Sequence, residues 1–110
     1  MARDRSLIAC VLGALVSVGL VFGGAASAGC GPVLYESRIR AAEAKLLEAR
    51  EANARWYAPY EYYYAEAHLR QARLEAAEAS YEDALSYART AEEYGTRALR
   101  VTTTRRRAER

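Results

Sequence analysis

From Ile39 onward, apolar residues recur at every third or fourth position, the spacing of one face of a helix. The series runs Ile39, Ala42, Leu46, Ala49, Asn53, Trp56. It restarts as Tyr62, Ala65, Leu69, Ala72, Ala76, Ala79, and again as Tyr81, Ala84, Ala88, Ala91, Gly95, Ala98, with Leu85 and Leu99 alongside. Pro59 divides the first series from the second, because proline has no N–H for a continuing helix and disfavours helical geometry at Ala58. The same proline suits the first turn of a new helix. The second boundary is softer. Ser80-Tyr81-Glu82-Asp83 sets a capping residue three places before an acid, close to a capping box. A reversal near Ala79-Ser80 is therefore expected. The alternative, one helix from Pro59 to Arg100, would run about 60 Å at 1.5 Å per residue with little to bury its seam. The pattern predicts an all-α fold, an antiparallel helical hairpin or a small three-helix bundle over residues 38–100 with coiled-coil-like seams. Prolines only at 32 and 59 and few β-branched residues after 39 exclude an all-β or Rossmann-type fold.

The first 29 residues follow another pattern. Arg3 and Arg5 precede an apolar run from Leu7 to Phe22, and small residues follow, Gly23-Gly24-Ala25-Ala26-Ser27-Ala28-Gly29-Cys30. A basic start, an apolar centre and a small-residue exit form the layout of a cleaved secretory signal. Ser27-Ala28-Gly29-Cys30 resembles the lipobox of bacterial lipoproteins, which implies lipidation at Cys30 with a diacylglycerol thioether and acyl chains such as palmitate. Ser27 departs from the leucine most common in that motif. Two alternatives stay open. Ala26-Ser27-Ala28 is an A-x-A site whose cleavage would release a soluble protein starting at Gly29. Leu7–Ala28, uncut, is long enough for a ~30 Å hydrocarbon core, although Gly13, Gly19, Gly23 and Gly24 make it a poor permanent span. Cys10 would leave with the signal, so Cys30 would be the only mature cysteine and no internal disulfide could form. Acylation consumes a thiol that would otherwise be a liability. Gly31, where a lipoprotein retained in the inner membrane commonly has Asp, points by the same resemblance to the outer membrane, inner leaflet, facing the periplasm. Residues 30–37 are expected to be a tether, turning at Gly31-Pro32.

Composition changes what the helical pattern can be. The seams are mostly alanine, which lets helix axes approach closely but buries little area per residue. All nine tyrosines lie after residue 34. Ala58-Pro59-Tyr60-Glu61-Tyr62-Tyr63-Tyr64-Ala65-Glu66-Ala67-His68-Leu69, with Ala72-Arg73 and Ala84-Leu85-Ser86-Tyr87-Ala88, resembles the bacterial family described as domain of unknown function 4398. The resemblance covers roughly Arg38 to Ala98. It implies a small exported helical protein, often a lipoprotein, in a family of which some members carry an OmpA-like peptidoglycan-binding domain. It assigns no activity and no functional residue. Ser80 to Leu85 also resembles the start of the second helix of a tetratricopeptide repeat, read as convergent hairpin packing because one such unit cannot bury its own faces.

Three groups carry candidate chemistry. Trp56, Tyr57, Tyr60, Tyr62, Tyr63 and Tyr64 cannot all face one core, since successive helical side chains point about 100° apart. They form a candidate partner-binding surface; the competing expectation is that Trp56, Tyr60 and Tyr64 cap the bundle. Arg97 to Arg110 holds six arginines against the single Glu109, whereas residues 30–96 carry twelve acidic and eight basic side chains. Arg105, Arg106, Arg107 and Arg110 are candidate contacts for an anionic surface. Because Val101-Thr102-Thr103-Thr104 is poor helix material, residues 101–110 are expected to be a frayed basic tail. His68 stands alone, too little for a metal site or a catalytic base. Glu51–Arg55, Glu66–Arg70 and Glu93–Arg97 are spaced for pairing along a helix.

No nucleotide-binding, nucleophile or metal motif occurs, so no enzyme activity, metal or cofactor is expected. The reading is a cell-envelope lipoprotein acting as a structural or adaptor module, held to the membrane by its lipid anchor. Candidate partners are an envelope protein, peptidoglycan, lipopolysaccharide or a second copy of the chain, with nucleic acid excluded by export. The alternative is a soluble periplasmic module that binds glycan or polyanion.

Overall fold

The computed structural model describes residues 30–110. The expected signal, its cleavage sites and the uncut-span alternative all fall on residues 1–29, outside the described residues. The described chain is all helical: α1 (Cys30–Glu51), α2 (Ala54–Tyr57), α3 (Pro59–Ala77) and α4 (Tyr81–Ala108). Three long helices and one single-turn helix thus make the small bundle. No described helix is long and apolar enough to cross a membrane.

Cross-helix contacts give the direction of each element. Gly31 lies beside Tyr81 and Gly95 beside Lys45, and Arg38 Nη1 donates to Glu92 Oε2 at 2.8 Å. α1 and α4 therefore run the same way. Arg73 bonds Glu43, and Ala49 shares a core cluster with Tyr62. α3 therefore returns antiparallel to both. One core cluster joins Ile39, Ala42, Leu69, Ala72, Ala88 and Ala91. A second joins Ala49, Ala54, Ala58, Tyr62 and Ala98. Only Ile39, Tyr62 and Leu69 bring bulk to this buried apolar set; the rest is alanine. Small side chains bring the axes close at the expense of apolar area.

Local chemistry sets the corners. α1 stops at Glu51, and Asn53 follows in the left-handed region at φ 68°, a conformation that asparagine tolerates better than most residues. Ala58 leaves helical geometry, at φ −140° and ψ 57°, in keeping with the steric bar on the helical region before a proline, and Pro59 opens α3. At the far corner α3 ends in a Schellman motif. Ser80 N donates to Glu75 O at 2.9 Å and Ala79 N to Ala76 O at 3.0 Å, with Ala79 at φ 61°. The chain thus reverses at Ala79-Ser80. Ser80 occupies the N-cap of α4 without a side-chain capping bond, while Glu82 and Asp83 set negative charge in the first turn.

Three expectations need correction. Residues 30–37 are helix, not a turning tether. Proline's fixed φ is compatible with a helix, and Tyr35 extends the apolar face to pack on the first core cluster. The last ten residues are not frayed: α4 continues to Ala108, and Thr102 is buried. Thr103 and Thr104 donate through Oγ1 to the carbonyls of Leu99 and Arg100, and contacts from Arg105 and Glu109 to Tyr57 fasten the end. Finally, Asn53 and Trp56 do not continue the first seam, because α1 has already ended. The same break parts Glu51 from Arg55, which lies 5.3 Å from the centre of the Tyr62 ring. Glu66–Arg70 does pair, at 3.2 Å, and Arg97 sits over Tyr94 at 5.6 Å.

Candidate functional site

The six clustered aromatic residues divide by position. Tyr62 falls in register with Ala65, Leu69 and Ala72 and is 2% exposed. It is a core residue and not a contact for a partner. Trp56 is 75% exposed and Tyr60 62%, so neither caps the bundle. Tyr63 is exposed too, edge-on to Tyr62 with ring centres 5.3 Å apart. Tyr57 and Tyr64 are half-buried, each for its own reason.

Tyr64 belongs to a run of rings along the seam of α3 and α4. Its centre lies 5.7 Å from Tyr60, 4.2 Å from Tyr94 and 4.2 Å from His68, and His68 lies 5.7 Å from Tyr87. The four-residue spacing of Tyr60, Tyr64 and His68 puts them on one face of α3, and the seven-residue spacing of Tyr87 and Tyr94 does the same on α4. Antiparallel packing brings the two sets together. His68 packs on Tyr64 four residues before it, as its spacing implies, whereas Tyr87 and Tyr94 join the surface from outside the expected aromatic cluster, although their spacing carries the signal. His68 Nδ1 lies 3.0 Å from the carbonyl of Tyr64, and the imidazole packs as an aromatic plate. Among the described residues no group of His, Cys, Asp or Glu gathers as metal ligands.

Tyr57 ties α2 to the end of α4. Its hydroxyl donates to Glu109 Oε2 at 2.9 Å, Arg105 Nη1 donates to its carbonyl, and the Arg106 guanidinium carbon lies 6.0 Å from its ring centre. The hydrogen bond to Glu109 is the main cause that raises the phenol above its ordinary pKa of 10.0, with burial and the Glu109 charge adding and Arg106 opposing. Arg107 and Arg110 are exposed and line a shallow open depression with Thr103 and Arg106. The fold thus brings the basic cluster and the aromatic cluster to one end of the bundle.

Cys30 is apart from them. It is the first residue of α1, exposed, with a free thiol, and Val33 and Leu34 beside it are exposed as well. α1 is 22 residues long, about 33 Å at 1.5 Å per residue, and the aromatic and basic end lies beyond its other terminus. No protein-family model, curated protein or solved structure matches this chain. The resemblance to the domain-of-unknown-function family rests on the quoted motif alone.

Proposed function

We propose that the chain is a non-catalytic lipoprotein of the bacterial cell envelope, held through acylated Cys30, whose helical bundle is an adaptor presenting its aromatic and basic end away from the anchor. The observation that carries this reading is the separation of the two ends. An exposed thiol opens α1, and Trp56 and Tyr60 are exposed beyond its far terminus. Apolar side chains at Val33 and Leu34 suit the anchored end, where headgroups meet acyl chains. Gly31 in place of Asp favours the outer membrane as the site. Alanine-lined contacts make the bundle narrow, and its rings are amphipathic surface of the kind partners use.

The test is the intact mass and membrane fractionation of the full chain expressed in a bacterium, with and without an inhibitor of lipoprotein signal peptidase. The expected product begins at an acylated Cys30, partitions with membranes and gives way to precursor under inhibitor. A product beginning at Gly29 with a free thiol would replace this reading with the soluble glycan- or polyanion-binding module.

A further inference from the structure

Four arginines and an exposed tryptophan share the end of the bundle where α2 meets the last turns of α4. Arg105 and Arg106 are held against Tyr57, next in sequence to Trp56. Glu109, the one acid among residues 97–110, accepts the bond from Tyr57. Among the described residues no carboxylate pairs with Arg105, Arg106, Arg107 or Arg110. The result is a patch of net positive charge, four arginines against Glu109, at the end of the bundle that also carries the exposed Trp56. Tryptophan is otherwise among the more buried residue types on average.

We propose that this end docks on an anionic lipid surface, with Arg106, Arg107 and Arg110 against headgroup phosphates and Trp56 in the interfacial layer. The proposal rests on the reading of this end as the presenting one and is independent of what holds Cys30. Charge selects the occupant. A glycan strand would use the rings but give the arginines nothing to neutralise. A second copy docking by the same end would bring like charges together. A phosphate-bearing lipid surface satisfies both features, since guanidinium groups pair with phosphate oxygens and indole rings favour the membrane–water interface. Each basic residue near such a surface strengthens binding about fivefold.

Trp56 is the chain's only tryptophan, so its emission reports this end whatever the N-terminal segment does. The experiment follows that emission in the full chain with vesicles of phosphatidylcholine alone and of phosphatidylcholine mixed with phosphatidylglycerol. The expected result is a blue shift and quenching by brominated acyl chains on anionic vesicles only, both reversed by high salt. A double variant, Arg107→Gln with Arg110→Gln, alters two exposed side chains and should weaken the response roughly 25-fold with unchanged helicity. Cys30→Ser should leave the response intact even if it abolishes acylation, which separates this proposal from the anchor. Equal shifts on neutral and anionic vesicles, no shift on either, or a shift that grows with protein concentration without lipid would each overturn it.

Discussion

Gly95 and Lys45 mark a close approach of α1 and α4: a Cβ on Gly95 would stand 3.1 Å from the Cβ of Lys45 and 3.5 Å from its carbonyl carbon. Both atoms are fixed to the backbone of α1, so relief requires moving the helix and not one flexible side-chain end. Gly95→Ala gains about 1 kcal/mol of helix propensity and loses about 1–3 kcal/mol to overpacking. The expected net is a loss of about 1 kcal/mol, with a larger loss for Gly95→Leu. Urea unfolding followed by circular dichroism measures it. A stabilised Gly95→Ala would mean that α1 yields freely here.

Ala79 makes the corner between α3 and α4 at φ 61°, where a Cβ crowds the backbone. Glycine is the usual residue at this position of a Schellman motif. Ala79→Gly should therefore stabilise the fold by about 0.5–1 kcal/mol, the relief of strain exceeding the added freedom of the unfolded chain. Asn53, at φ 68°, already tolerates that region, so Asn53→Gly should change stability less. Paired denaturation midpoints test the difference.

Tyr62 and Trp56 sit close in sequence and should behave oppositely on truncation. Tyr62→Ala empties the largest position of the second core cluster and should cost about 3–5 kcal/mol, a large share of the stability of so small a core. Trp56→Ala removes an exposed ring and should shift stability by less than about 0.5 kcal/mol. Thermal unfolding of the two variants distinguishes core from surface in one comparison.

The helix seams were legible because burial imposes a period on the chain. Ile39, Ala42 and Ala49, then Tyr62 to Ala72, then Ala84 to Ala98, are buried as their spacing requires. Register also explains Tyr62: of the clustered aromatics it alone continues the series through Ala65 and Leu69. The expectation failed where tertiary contacts outweigh local preference. Intrinsic propensities differ by less than about 0.7 kcal/mol per ordinary residue. The weak helix formers at 101–104 therefore follow the burial of Thr102 and the grip of Tyr57 on Arg105 and Glu109. Those contacts span about fifty positions, and no local pattern announces them. The ring run of Tyr60, Tyr64, His68, Tyr87 and Tyr94 needed the antiparallel pairing of α3 and α4 before its two spacings met.

Thr102 is 1% exposed, and its Oγ1 has no hydrogen-bond partner among the described residues. Thr90, Thr96, Thr103 and Thr104 on the same helix each donate to the carbonyl four residues back. A buried hydroxyl left unpaired costs about 1–3 kcal/mol. Thr102→Val keeps the branched shape and removes that oxygen, so it should stabilise the fold by about 1–2 kcal/mol. Thr102→Ser keeps the hydroxyl and loses a methyl group, and should destabilise. A destabilised Thr102→Val in chemical denaturation would show that the hydroxyl is satisfied in solution.

The Tyr57–Glu109 contact makes the end of α4 sensitive to alkali. The hydrogen bond to Glu109 raises the Tyr57 pKa above 10.0, which means that the folded state favours the neutral phenol. Its contribution is complete below pH 10, the unfolded value, and is lost as pH rises through the higher folded value. Phenolate would then face the Glu109 carboxylate with no proton to share. Amide hydrogen exchange at Arg105 to Glu109, corrected for the intrinsic rate at each pH, should show steady protection up to about pH 9 and a loss above pH 10. Tyr57→Phe should lower protection of the same amides at neutral pH and remove the alkaline step, leaving α1 and α3 unaffected. An alkaline step that survives in Tyr57→Phe would assign the transition to another tyrosine, with Tyr35, whose pKa burial raises, the next to replace.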